Sequence, residues 1–547
     1  MRAGPRSALA WMKRSWRGLG SSTCSGTRRT GWKSGRPDAP GASEQAEGRP
    51  PVLKVFQGPQ YKWWAFLALA IGLFASVSDH GSVTVALPSI ADHFETDLTT
   101  TQWIVIGYAL AISALLMPMG RLSDMVGRKR IYLLGFIVFV IGGAIAGSSP
   151  NVTVLILAKI FQGVGSAMTQ GTSMAMIMAT FPTEERGRAL GLQMSVVGVG
   201  GVAGPSVGGF LVGAFDWRWV FYGNIALGAI ALAAAWVVLD ARRTGQPPEL
   251  RETFDWLGAS LSAGALLSFL LGMTWGPRIG WSHPGIAAAM SLTILQIIGF
   301  VWWELRAPAP MMDVRLFKSA LFSLSVSAYY ISFLGMSAVR FLMPFYLQAV
   351  LGYSPAQVGL VIVPGAVAII ITGPLAGRLS DRYGWRPFTV GGMAVCVAGL
   401  LVLSRLQSDS PLWWAILGMV LQSFGSGTLN APNNSAVLST VAQSSYGVMS
   451  GFLNLVRNAG NVTSIAMMTA MVTATMGGMG YAPTLSAVTA DGGAGVIEAF
   501  TIGLRQAYFV VAMIVVVGVL ASFFSGVRQT QTASPETAAQ PTGDRSA

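Results

Sequence analysis

From Trp63 to Val527 the chain is a succession of long apolar stretches separated by short polar ones. Crossing the hydrocarbon core of a bilayer takes about 20 mostly apolar residues as a helix, while barrel strands are about half as long and alternate. The stretches are long and do not alternate, so they predict membrane-spanning helices. Their Gly, Pro and charged punctuation divides them into fourteen spans near 63–89, 103–119, 131–147, 153–179, 187–213, 219–239, 255–275, 284–304, 319–351, 355–376, 387–405, 411–437, 446–475 and 503–526. The fold expected is an all-α integral membrane protein.

Composition sharpens this reading. Hydrophobic residues make up 52% of the 547 and charged residues only 11%, with a mean hydropathy of +0.55, which is the signature of a membrane protein. The net charge of +13 is concentrated in the tail: residues 1–62 carry twelve Lys/Arg against three Asp/Glu. A nucleic-acid partner is therefore not implied by the body of the chain. Arg, Ser, Gly and Pro without apolar periodicity predict disorder for residues 1–62, as a cytosolic tail near anionic lipid, with an organelle transit peptide or an unused upstream start as the other readings. A disordered tail is likewise expected over 528–547.

The remaining Lys and Arg set the orientation. Arg121 with Arg128 to Arg130, Arg186 with Arg188, Arg242 with Arg243, Arg315 with Lys318, and Arg378 with Arg382 and Arg386 all fall on one side of the predicted spans. The positive-inside rule makes that side cytoplasmic, together with both termini of a multi-pass protein of the cell membrane. Two cysteines, Cys24 and Cys396, and three scattered histidines form neither a disulfide framework nor a metal set. The chain has no Gly-Lys dipeptide, so no Walker motif for ATP, and no cofactor is expected.

One charged segment is written twice. GRLSDMVGRKR begins at Gly120 and GRLSDRYGWRP at Gly377, each between the second and third spans of a six-span block. The blocks cover 63–239 and 319–527, and 240–318 links them with two extra spans. Parallel six-helix repeats with a site between them are the architecture of rocking secondary transporters.

With these features in place the chain resembles the major facilitator superfamily, and within it the fourteen-helix drug:proton antiporters, over nearly all of 63–527. Gly120, Asp124, Gly127, Arg128 and Lys129 match the family's loop signature, with Gly377 and Asp381 in the second copy. The resemblance implies that this acid and these bases hold the cytoplasmic side closed in the outward-facing state. GLQMSVVGVGGVAGPSVGG places Gly191, Gly200, Gly204, Pro205, Gly208 and Gly209 at the spacing of the antiporter signature, a small-residue ridge that admits a neighbouring helix. SDHGSVTVALPSI, QWIVIGYAL, DWRWVFYGN, DWLG and YLQAVLGYSPAQVGL match further family pieces. The chain departs from the pattern at Lys159, where the family usually has Arg, and at Ala226, where proline is usual.

Ionisable residues inside spans are costly and are functional candidates by default. Asp79 and Lys159 lie at similar depth, about 14 Å and about 9–12 Å from the outer ends of their helices at 1.5 Å per residue. They are the expected proton and substrate coupling pair, with a static ion pair as the other reading. Arg340 lies near the outer surface by the same count, where snorkelling and substrate contact are both open. Arg457 lies deeper, with Asn454, Asn458 and Asn461 along one helical face. Together with Tyr329, Tyr330 and Asn430 these are the expected cavity-lining residues.

The activity expected is proton-coupled export of hydrophobic or amphipathic small molecules by a monomer, with cargo, protons and the lipid bilayer as its partners and no enzymatic chemistry. A facilitator or importer of a metabolite or lipid on the same fold, and a membrane receptor or scaffold, are the alternatives.

Overall fold

The computed structural model describes residues 58, 60–96, 98–244, 254–482, 488 and 493–532. The expected disorder of the N-terminal tail concerns residues almost all outside this set. Among the described residues there are no strands and fourteen long α-helices: α1 (Tyr61–His93), α2 (Trp103–Val126), α3 (Arg128–Gly147), α4 (Val152–Thr180), α5 (Arg186–Ala214), α6 (Arg218–Val238), α7 (Trp256–Ile279), α8 (Pro284–Glu304), α9 (Ala320–Phe345), α10 (Pro355–Tyr383), α11 (Arg386–Leu403), α12 (Leu412–Leu438), α13 (Tyr446–Gly478) and α14 (Ala494–Thr532). Thirteen are long and apolar enough to cross a membrane. The exception is α13, which is long enough but carries Asn454, Arg457, Asn458 and Asn461. α14 continues to Thr532, past the end expected at 526.

Helices α1–α6 form one bundle and α9–α14 the other. The bundles meet along two matching seams: α2 packs on α13, and α5 packs on α10. Counted within its own bundle, the second helix of each half thus meets the fifth helix of the other, as a parallel repeat requires. The extra helices α7 and α8 form a hairpin. Asp255 caps the N-terminus of α7 through the Gly258 N–H (2.8 Å) and accepts the Trp303 indole N–H of α8 (2.9 Å), which ties the pair together. Leu266 and Leu270 of α7 then bury against Leu110 of α2, on the flank of the α2–α13 seam.

The GRLSD segments are not loops. Each forms the last turns of a helix, α2 or α10, prolonged beyond the apolar part of its span. The following glycine ends it: Gly127 has φ +110° and Gly384 φ +85°, in the region that favours glycine over every residue with a Cβ. Arg128 and Arg386 then open the next helices.

The glycine ridge of α5 packs on α1. A Cβ on Gly204 would stand 2.6 Å from the Ser78 carbonyl oxygen, one on Gly208 2.6 Å from Ser82 Cα, and one on Gly200 3.1 Å from Val77 Cβ. Pro205 in turn fills the space above Gly81. The ridge therefore clamps the turn of α1 that carries Asp79. Gly191 lies one level nearer the loops and crosses to the other bundle, against the Gly373 carbonyl of α10. Gly209 is on open ground, its nearest neighbour Val85 lying 3.7 Å from an added Cβ. We expect Gly204→Leu to lower the stability of the purified protein by about 1–3 kcal/mol, the usual cost of overpacking, while Gly209→Ala changes it by less than a third as much. Thermal unfolding in detergent reads the difference, and equal effects would show that the ridge does not set the α1–α5 distance.

Candidate functional site

A chamber of about 440 Å³ lies between the bundles. Its walls come from both halves: Ser76, His80, Tyr108, Ser113 and Gln170 on one side face Phe333, Arg340, Asn430, Arg457 and Asn458 on the other. At the end that carries the GRLSD segments the chamber is sealed. Asp124 at the end of α2 accepts the backbone N–H groups of Gly447 and Val448, both at 3.0 Å, at the N-terminus of α13. Asp381 at the end of α10 does the same for Gly187 (2.9 Å) and Arg188 (3.1 Å) at the N-terminus of α5. A carboxylate is attracted to a helix N-terminus because the first N–H groups have no partner within the helix and the backbone dipoles sum to positive charge there. Each half thus caps a helix of the other.

The rest of the motif fixes the acids in place. Arg128 donates to Asp124 through Nη2 (2.8 Å) and Nε (3.0 Å), and its Nη2 also reaches the Gln443 carbonyl at 2.6 Å. Lys129 turns the other way and donates to the carbonyls of Trp236 and Leu239, at the C-terminus of α6, where a cation complements the dipole. Gly120 and Gly377 let the backbones meet, against the carbonyls of Gly447 and Gly187 respectively. In the second copy Trp385 occupies the place of Arg128.

Above this seal the α5–α10 seam closes through Ser195, whose hydroxyl donates to the Ile370 carbonyl at 2.9 Å, and then parts. An added Cβ would lie 3.6 Å from Ile370 at Gly198 and would meet nothing within 4 Å at Gly201. On the chamber floor, Gln170 of α4 donates to Ser76 of α1 (3.1 Å) and accepts from Arg457 of α13 (3.2 Å), while Asn458 donates to Ser113 of α2 (2.9 Å).

Asp79 and Lys159 form an ion pair at 2.8 Å, both fully buried. Lys159 also donates to Gln162 (2.6 Å), and the second carboxylate oxygen accepts from Asn224 of α6 (2.8 Å). The lysine ammonium sits 4.2 Å from the centre of the Tyr108 ring, and Tyr108, which also stacks on His80, lines the chamber. Neither Asp79 nor Lys159 lines the chamber, whereas Tyr108, which Lys159 touches, does. The pair is well satisfied, as it must be, because breaking a buried pair leaves a costly lone charge.

Of the expected lining residues, Arg340, Asn430, Arg457 and Asn458 do face the chamber. Tyr329, Tyr330 and Asn454 do not. Tyr329 and Asn454 lie one helical turn nearer the seal than Phe333 and Asn458, where the bundles have already closed: Tyr329 packs on Phe333 in the core, and Asn454 donates to the Gln170 carbonyl (3.4 Å). Tyr330 is turned within its own bundle and donates to Thr463 (2.9 Å). His80, Tyr108 and Gln170 were not legible as lining residues. Their only sequence signal is a helical relation to residues already singled out, His80 beside Asp79 and Tyr108 in the QWIVIGYAL piece.

Two matched helical bundles around one chamber, sealed at one end by reciprocal contacts and parted beyond them, define a membrane carrier and not an enzyme. The chain belongs to the Major Facilitator Superfamily, whose model matches residues 69–465. It is 30% identical to the riboflavin transporter RibZ of Clostridioides difficile (strain 630), over 85% of this chain and 97% of that protein. It is also 30% identical to the multidrug resistance protein Stp of Mycobacterium tuberculosis, over 75% of each. Among solved structures, that of the proton:xylose symporter XylE bound to 6-bromo-6-deoxy-D-glucose superposes with a TM-score of 0.56 at 15% identity, over 86% of this chain and 96% of that one, which shows a shared fold.

If the two seams open as one rigid movement, losing one cap exposes the other seam. A cysteine in place of Ser123 or Ser380, both buried, reports this with a water-soluble maleimide. We expect Asp381→Asn to raise the labelling of Ser123→Cys several-fold, and Asp124→Asn that of Ser380→Cys. Protection that persists at the opposite seam would show that the seams move independently.

Proposed function

We propose that the protein is a proton-coupled exporter of amphipathic small molecules that works by alternating access. The observation that carries this reading is the chamber closed at one end by Asp124 and Asp381, each capping a helix of the opposite half. The excess of Lys and Arg on the sealed side makes that side cytoplasmic by the positive-inside rule, so the described conformation is the outward-open one. Breaking two matched sets of charge-assisted hydrogen bonds lets the halves pivot and presents the chamber to the cytoplasm. A multidrug resistance protein among the relatives favours outward movement of cargo, since a carrier protects a cell from a toxic compound by removing it.

The Asp79–Lys159 pair is the proton-handling element. A proton placed on Asp79 removes the charge that holds the Lys159 ammonium, which then faces the Tyr108 ring and Gln162 alone. Cargo in the chamber meets the same tyrosine, which lines it. Proton and cargo are thereby coupled through Tyr108, not through competition for one carboxylate at the chamber wall. The α5 ridge, clamped on residues 77–82, transmits a shift of that turn to the α5–α10 seam.

The test is transport in liposomes with an imposed pH gradient. Asp79→Asn is expected to cut proton-driven movement at least tenfold while leaving cargo exchange in the absence of a gradient within about threefold, because the chamber wall is intact. Undiminished gradient-driven transport in Asp79→Asn would overturn the coupling role, and import under the same gradient would overturn the direction.

A further inference from the structure

The charges facing the chamber are all of one sign. Arg340 and Arg457 both line it, with His80 on the opposite wall, and among the described residues no Asp or Glu does. Arg457 rests only on the neutral amide oxygen of Gln170, at 3.2 Å, and no described residue forms a hydrogen bond or ion pair with Arg340. The nearby acid, Asp79, is taken: Lys159 and Asn224 both hold it at 2.8 Å, and it does not line the chamber.

In the open state water can solvate these cations. A carrier, however, passes through a state in which the chamber is shut on both sides, and water then leaves as the walls close. Two guanidinium groups enclosed in the shut chamber with no carboxylate would carry the cost of unpaired charge removed from water. A cargo that brings its own negative charge removes that cost. The guanidinium fork is also the side chain best matched to the paired oxygens of a carboxylate, sulfonate or phosphate. Phe333, Met336, Ile369 and Ile465 supply an apolar wall for the body of the same molecule, and about 440 Å³ is room for one of drug size.

We propose that the chamber takes amphipathic organic anions, with the anionic group held between Arg340 and Arg457 and the apolar body against Phe333 and Ile369. This rests on the carrier reading above and names its cargo class. It also separates this chamber from one built for cations, which would present a carboxylate.

The experiment uses three probes that share one ring and differ in charge: naphthylacetate, naphthylethanol and naphthylmethyl-trimethylammonium. Binding to the purified full chain is measured by titration calorimetry, with thermal stabilisation as a second readout. The expected order is naphthylacetate tighter than the alcohol by about tenfold or more, the scale of one charge-assisted hydrogen bond set, and the ammonium weakest. Arg340→Gln and Arg457→Gln should each remove most of the carboxylate's advantage while leaving the alcohol within about twofold. Arg340→Lys and Arg457→Lys, which keep the charge without the fork, should retain part of it and serve as checks on folding. Equal binding of the three probes, tighter binding of the ammonium, no binding of naphthylacetate, or an advantage that survives Arg340→Gln with Arg457→Gln would each overturn the proposal. Transport separates it from the reading beneath it. If liposomes carrying the protein move the ammonium probe along a proton gradient and ignore naphthylacetate, the carrier stands and the anion site falls. If naphthylacetate binds through the two arginines but no gradient moves it, the anion site stands and proton-coupled export falls.

Discussion

A carboxylate from one half of the molecule seated on the N-terminus of a helix from the other half is the contact on which the rest of this structure depends. It occurs twice, as Asp124 on α13 and as Asp381 on α5. Other contacts that join the halves here, such as Arg128 to the Gln443 carbonyl and Ser195 to the Ile370 carbonyl, carry no carboxylate. A hydrogen bond to a charged group is worth about 1.5–3 kcal/mol, and moving one elementary charge through 100 mV releases about 2.3 kcal/mol. One such bond and the driving force on one charge are therefore of one scale. Such a contact holds a state firmly enough to define it and weakly enough to be reversed on each cycle.

The interior handles its charges in three distinct ways. Asp79 and Lys159 neutralise each other and are wrapped by Gln162 and Asn224, so they stay buried without solvent. Asp124 is paired with Arg128 and also satisfied by backbone N–H groups, so it serves as a latch. Arg340 and Arg457 receive neither treatment and face an open chamber. The departure from the family pattern at Lys159 fits the first group: a compact ammonium on a flexible stem reaches Asp79 and lies over the Tyr108 ring at 4.2 Å, with no planar fork to be satisfied.

Most of the fold could be read along the chain, because a bilayer imposes one rule on every segment: about 20 apolar residues per crossing with all backbone groups bonded internally. The span between 446 and 475 was legible only because its polar residues are few and spaced by helical turns. The ends of α2 and α10 were not, since apolarity marks where a helix leaves the lipid and says nothing of how far it continues beyond. Within the site, Asp79 and Lys159 were visible as isolated charges in oily surroundings. Tyr108, Gln170 and His80 carry no such contrast, and Tyr329 and Asn454 carried it misleadingly.

What the amino-acid order alone decided is the number of helices, their parallel repeat, the recurring acid and the pairing of one buried acid with one buried base. These follow from hydrophobic length, from charge and from self-similarity, all of which are local. Only the tertiary structure decided which residues face the chamber. That depends on where along each helix the two halves stop touching: past Ser195 on α5, and one turn beyond Tyr329 and Asn454 on α9 and α13. The residue one turn below such a point is core and the residue one turn above it is wall. Since both belong to the same helical face, periodicity cannot separate them, and the distance between two packed bundles does.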